Sequence, residues 1–210
     1  MTDIAAIKRQ LQERDYLRFM GSPLSDSELC NIEATFGVAL PPDYRAFLQE
    51  IGNGGPGPYY GMLPFARALD YDDRLWGERV PVNHLAAPFP HTEMFDPAPG
   101  LAIADERVAR GEITDDEFAR IVHSATGGTL GLAHQGCAHY DILVVTGPTR
   151  GTVWTDASDT RQGFHPKGIG FLEWYQSWLD GGLPTMWGPR EFTGAYGAVE
   201  IPALGRPRGS

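Results

Sequence analysis

Leu40-Pro41-Pro42-Asp43-Tyr44-Arg45-Ala46-Phe47-Leu48-Gln49-Glu50-Ile51, followed by Gly52-Asn53-Gly54-Gly55-Pro56-Gly57-Pro58, is the stretch on which the fold turns. Proline is tolerated in a helix's first turn, where the backbone N–H groups lack intrahelical partners. Tyr44, Phe47, Leu48 and Ile51 then recur at helical spacing, so one face is apolar while Arg45, Gln49 and Glu50 point away. The glycine and proline run stops the helix abruptly. The spacing therefore predicts a short, deeply docked helix with a tight loop behind it.

Upstream, Ile4, Ile7 and Leu11 mark a thin amphipathic helix over Thr2 to Arg14. Ser25 with Glu28 three residues later is a capping-box pattern that opens a second helix. Leu29, Ile32 and Phe36 supply its buried face, and Gly37 ends it. Downstream, Tyr60 to Phe65 reads as a short strand. Ala66 to about Gly100 carries mixed charge, repeated prolines and little periodicity, and reads as an irregular excursion with one helical turn near Tyr71 to Trp76. Thr114 and Glu117 repeat the capping box ahead of Phe118, Ile121 and Val122, a helix that ends before Gly127.

An antiparallel meander follows, with strands over Thr129 to Ala133, Tyr140 to Thr146 and Gly151 to Thr155. Ile142-Leu143-Val144-Val145 has no polar alternation and so predicts a central strand. From about Gly168 to Asp180, Phe171, Leu172, Trp174, Tyr175, Trp178 and Leu179 form a last helix too rich in rings for a surface position. Helices, then a meander, then a closing helix is α+β order: a twisted, mainly antiparallel sheet with helices packed on one face. The expected organisation is one domain over residues 1–184 and a C-terminal extension over 185–210, partly disordered, in which Met186, Trp187, Phe192 and Tyr196 lie across the surface.

The chain has 210 residues, 42% of them hydrophobic, which suits a single core. Seventeen Lys and Arg against 27 Asp and Glu leave a net charge of −10. That balance disfavours direct contact with nucleic acid or an anionic membrane and favours a basic partner. No apolar run has the roughly 18 residues of a membrane span, and the N-terminus lacks a basic region followed by an apolar core, so a cytoplasmic location is expected. Cys30 and Cys137 lie far apart in helix and strand contexts and are expected to be small buried hydrophobes, neither a disulfide nor half of a metal site.

The proline-led helix with its Asn53-Gly54-Gly55 loop resembles the signature of the SMI1/KNR4 family (SUKH superfamily), in its bacterial immunity-protein type. Gly136-Cys137-Ala138-His139-Tyr140-Asp141-Ile142-Leu143-Val144-Val145-Thr146-Gly147, continuing through Arg150-Gly151-Thr152-Val153-Trp154, is similar to that family's second block. Gly170-Phe171-Leu172-Glu173-Trp174-Tyr175 resembles its last helix. Ala138 stands where the family often has a second glycine, and the excursion from Ala66 to Gly127 is longer than in compact members. The resemblance implies a six-stranded or similar twisted sheet with helices on one side. It also implies a non-catalytic protein that binds and neutralises a cognate toxin of a polymorphic or contact-dependent secretion system. Eukaryotic relatives act as regulatory scaffolds, so a scaffold or small-ligand sensor is the alternative.

Gly52 to Gly61 lacks the Lys-Ser or Lys-Thr end of a phosphate loop and follows a helix where such a loop follows a strand, so it reads as a helix stop. Beside it, Tyr59 and Tyr60 are candidate partner anchors, the alternative being that both pack on the preceding helix. Asp70, Asp72 and Asp73, with Tyr71 and Trp76, are candidates for an acidic and aromatic patch that meets the basic, nucleic-acid-acting active site of a toxin. Asp115, Asp116 and Glu117 are better explained as favourable charges in a helix first turn. Cys137, His139 and Asp141 would share a face of an extended strand and could form a nucleophile pair or bind metal. No second half of a ligand set accompanies them, and a structural role is the expected one. His84, His91, His123 and His165 read as surface or capping residues. Common hydrolase and metalloenzyme motifs are missing, so no catalytic residue, metal or cofactor is assigned. The expected mode of action is occlusion of the toxin through the open sheet face and the excursion.

Overall fold

The computed structural model describes residues 3–69 and 85–188. The candidates Asp70, Tyr71, Asp72, Asp73 and Trp76, and the helical turn expected around them, lie outside the described residues.

Among the described residues there are seven α-helices and four strands. Helix α1 spans Ile4–Glu13 and α2 Asp26–Phe36, α3 covers Pro42–Glu50, and α4 is the short Phe65–Leu69. Helices α5 (Ala98–Ala109) and α6 (Asp115–Thr126) precede the meander β1 (Thr129–Gly136), β2 (His139–Val144), β3 (Thr152–Ala157) and β4 (Gly163–Gly170). Helix α7 (Phe171–Leu179) closes the order.

Both capping boxes form as the spacing predicts. Ser25 and Thr114 each accept from the backbone N–H of the glutamate three residues on, and each glutamate reaches back to the cap's N–H. Gly37 takes the left-handed conformation at the end of α2, with φ 64°. On α3, Tyr44, Phe47 and Leu48 are fully buried. Their rings meet α7 edge-on, with Tyr44 and Phe47 about Phe171 and Phe47 against Tyr175. Helices α1, α3 and α7 pack on one another, and α7 lies on β3 and β4.

The four strands pair in the order β1-β2-β3-β4, each antiparallel to the next. Strand β2 is central, and Ile142, Leu143, Val144 and Val145 are all fully buried, as their unbroken apolar run predicts. Alternation along the strand separates two faces. Asp141 and Leu143 stand beside Thr155 and Val153 on the face that carries α7, because the Trp174 indole N–H reaches Asp141. Ile142 and Trp154 are partners on the other face.

That second face is not open. Phe89 packs edge-on against Trp154 at 5.0 Å and Phe164 at 5.7 Å, and Ile142, Trp154 and Phe164 are at most 1% exposed. The returning limb of the excursion lies across the sheet and is stitched to it. The Thr146 hydroxyl donates to the Leu85 carbonyl, Phe89 N–H donates to the Thr146 carbonyl, and Phe95 exchanges backbone hydrogen bonds with Phe164. Gly147 (φ 120°) is required here, since a Cβ would drive into the Phe89 carbonyl. The expectation of an open sheet face is therefore corrected: the excursion buries it, because rings such as Trp154 cost too much to leave in water.

Four strands stand where the resemblance implies six or so, and single bridges extend both edges. Met62 pairs with Ala133 beyond β1, and Phe95 with Phe164 beyond β4. Tyr60 to Phe65 thus contributes a bridge and the start of α4, not a strand. Strand β4 and helix α5 go unannounced in the sequence. Pro166 and several glycines break the strand pattern and are tolerated at an edge, while Pro97-Ala98-Pro99-Gly100 reads as loop yet opens α5, with proline in its first turn. Helices α5 and α6 share a small core of their own, formed by Leu101, Ala104, Phe118 and Val122.

Both cysteines are exposed, which corrects the expectation of burial. Cys30 lies on the solvent side of α2 beside Asp26, and Cys137 sits in the β1–β2 turn with φ 51°.

Candidate partner-binding surface

The loop between α3 and α4 is fastened at several points. The Tyr175 hydroxyl donates to the Pro56 carbonyl at 2.6 Å, the Asn53 carboxamide accepts from Phe65 N–H at 2.7 Å, and Gly55 and Met62 exchange backbone hydrogen bonds. Most of the loop is buried, so it is a rigid mount and not a phosphate cradle.

The mount presents Tyr59 and Tyr60. Tyr59 takes a left-handed backbone conformation (φ 55°), donates its N–H to the Pro184 carbonyl and accepts from Met186 N–H, which ties the chain after α7 to this loop. Its ring is half-buried against the core, and burial, reinforced by the Asp141 charge, pushes its hydroxyl up to about 12. Tyr60 stacks on His134 at 5.5 Å with 28° between planes, and meets Trp187 at 5.4 Å and 80°. His134 leans in turn on Tyr140 at 4.8 Å. Tyr60, His134 and Trp187 are half-buried, and Met186 beside them is 55% exposed. Of the sequence candidates, the two adjacent tyrosines thus face different surroundings. His134 carries no signal, and Trp187 reads only as a ring lying across the surface; that both meet Tyr60 could not be read, because they come from β1 and from beyond α7.

Beneath this end of the sheet lies a buried carboxylate. Asp141 is fully buried, and its Oδ1 accepts from Gln135 Nε2 (2.6 Å), Thr155 Oγ1 (3.1 Å) and Lys167 Nζ (3.0 Å), while Oδ2 accepts from Trp174 Nε1 (2.7 Å). One side chain thereby joins β1, β2, β3, β4 and α7. A buried charge with this many donors is a satisfied structural centre.

The Cys137, His139 and Asp141 trio does not assemble as an extended strand would have it. Cys137 is in the turn, and His139 Nε2 lies 2.7 Å from Thr160 Oγ1. The Thr160 hydroxyl also lies 3.0 Å from the Ala157 carbonyl, so His139 belongs to a local hydrogen-bond chain with Thr160 and Ala157. Asp141 is committed to its four donors. Among the described residues no group of three or more His, Cys, Asp or Glu could hold a metal ion. His91 donates to the Ala125 carbonyl in the last turn of α6 and so caps that helix from a distant part of the chain, while His165 donates locally to the Gln162 carbonyl.

Residues 23–129 match the model of the SMI1/KNR4 family (SUKH-1). This chain belongs to the SMI1/KNR4 family. The matched span contains the proline-led helix, its loop and both tyrosines, together with the excursion and α6. The strand block and the closing helix that also resemble SMI1/KNR4 proteins lie beyond it. Comparison with curated proteins and with solved structures returns no match. Among the described residues of this SMI1/KNR4 chain, no helix is long and apolar enough to cross a membrane.

Proposed function

We propose that this SMI1/KNR4 protein is a cytoplasmic immunity protein that binds a cognate secreted bacterial toxin domain and neutralises it by occlusion, without a cofactor and without catalysis. The observation that carries the reading, alongside family membership, is the preformed aromatic corner of Tyr60, His134 and Trp187. Rigid rings on a fastened loop bind with little loss of conformational freedom. The net charge of −10 favours a basic toxin, of the kind that acts on nucleic acid. Asp70, Asp72 and Asp73 with Tyr71 and Trp76 are proposed as a second contact that speeds capture.

The closing limb of the excursion, from Leu85 to Phe95, serves as the cover of the sheet in this reading. The partner surface accordingly moves from the sheet face to the sheet's end. The test is co-expression with the product of the adjacent upstream gene. The two chains are expected to copurify as a stable complex, and growth arrest by the toxin is expected to be relieved. A neighbour that arrests growth in the presence of this protein, with no complex formed, removes the proposal.

A further inference from the structure

Resting on the binding reading above, but built from other elements than the sheet's end, we infer that the outer face of the α5–α6 hairpin, centred on Ile103, docks a basic protein partner whose lysines or arginines flank an apolar residue. Three observations carry it. Leu101, Ala104 and Val108 recur at helical spacing on α5 and turn toward α6, where they meet Phe118 and Val122 in a core separate from the main one. Ile103 lies about 200° round the helix from Leu101, on the opposite side, and is 60% exposed. Packing therefore gives no reason for isoleucine there, and helix propensity favours other residues at a solvent-facing position. A lone exposed aliphatic is ordinary. Among the described residues, however, the exposed large hydrophobics are Met94, Ile103 and Met186, and the first two stand nine positions apart in one segment.

The second observation is that the face is set before a partner arrives. At its root, Phe95 exchanges backbone hydrogen bonds with Phe164 on β4, and Asp96 accepts from Ala98 N–H at 3.0 Å at the start of α5. The Thr114 and Glu117 capping box fixes the start of α6, and His91 holds its end through the Ala125 carbonyl at 2.7 Å. Across the outer face Glu106 and Arg110, three and seven positions on from Ile103, pair at 3.6 Å, and Arg110 also reaches Glu112 at 2.7 Å. A surface fastened in this way loses little conformational freedom on binding.

The third is charge. Residues 93–126 hold eight carboxylates against three arginines, a balance of −5, so half of the molecule's net charge of −10 sits in 34 of its 210 residues. Arg107 and Arg110 are both paired with Glu112, and Asp115, Asp116 and Glu117 add an exposed acidic turn at the start of α6. Such a field repels nucleic acid, an anionic membrane and the same face of a second copy of this chain, and it draws in a basic protein. An apolar centre with a charged rim suits a contact between proteins.

The experiment uses the full chain and three synthetic peptides: a leucine–lysine amphipathic helix, its leucine–glutamate counterpart and hexa-lysine. Binding is followed by isothermal titration and by the backbone amide NMR signals of Ile103, Glu106 and Arg110. The leucine–lysine peptide is expected to shift these signals and to bind more tightly than hexa-lysine, and the leucine–glutamate peptide to leave them in place. Ile103→Ala keeps the helix and should weaken binding of the leucine–lysine peptide about 5-fold or more. Glu106→Lys should weaken it about 3-fold or more at low salt, whereas Glu13→Lys, an equal charge change on α1, should have a smaller effect. Matching circular dichroism and melting curves show that the variants are folded. Shifts confined to other surfaces, parental affinity of Ile103→Ala, hexa-lysine binding as tightly as the leucine–lysine peptide, or equal losses from the two charge reversals would overturn the inference. The two readings fail separately: peptide binding at this face without a copurifying neighbour would remove the immunity reading alone, and a copurifying neighbour with no peptide shift at Ile103 would remove the docking face alone.

Discussion

Asp156 shows how a single buried carboxyl can be at odds with its surroundings. Its Oδ1 accepts from the Ser158 N–H and hydroxyl, yet its Oδ2 is buried with no partner. Burial pushes the carboxyl above its ordinary value, and the Ser158 bonds and the nearby His139 oppose this only in part. A folded-state value raised above the unfolded one means that the native state holds the proton more tightly. The stabilisation is therefore complete at pH values below the unfolded carboxyl's range and is lost as pH rises through the folded value. Asp156→Asn, which has no charge to form, should show less of this decline. Urea unfolding at pH 4 and pH 8 should find the variant gaining stability on the parent at the higher pH. An unchanged difference between the two pH values would contradict the assignment. Asp141, one position beyond Asp156's cross-strand partner Tyr140, differs in that both of its oxygens have donors.

At the scale of elements, Asp141 matters because it draws on five of them. Its loss would leave the Trp174 indole N–H, the Gln135 amide and the Lys167 ammonium without their common acceptor beneath α7. Asp141→Ala is expected to cost about 3–5 kcal/mol, the usual penalty for breaking a buried, hydrogen-bonded ion pair. Lys167→Met should cost less, because the other three donors remain and the side chain is partly exposed. Denaturant melts of the two variants check the order, and an equal or reversed ranking would show that the network is not centred on the carboxylate. Elements were legible in the sequence where local chemistry was complete. The two capping boxes, the proline at the start of α3 and the rings of α7 each carry their own start, stop or buried stripe within a few residues. Strand β4 was hidden because Gly163-Phe164-His165-Pro166-Lys167-Gly168 has no alternation, and it is strand only because β3 lies beside it. Phe89 gives no sign of being a lid on Trp154, since the two are remote in sequence and meet only once the chain has folded.

For the whole molecule, the excess of carboxylates should govern how quickly a partner is found more than how tightly it is held. Replacement of Asp70, Asp72 and Asp73 by lysine is expected to slow association with a basic toxin by about 10-fold at low salt and to flatten the dependence of the rate on ionic strength. Stopped-flow association at several salt concentrations reads both effects. Unchanged kinetics would take these aspartates out of the binding surface and leave capture to the aromatic corner.

The sequence alone determined the family, the α+β class, the central strand and the helices that carry their own cap, proline start or ring-rich stripe, because capping, glycine stops and hydrophobic period act between residues a few positions apart. It also marked Tyr59 and Tyr60, through their place behind a helix stop. Tertiary structure decided the rest: that the excursion seals the sheet, that both cysteines face solvent, and that Tyr60 meets His134 and Trp187. The ring contacts join residues more than 60 positions apart in the chain, and no local pattern encodes a contact whose partner is so far away.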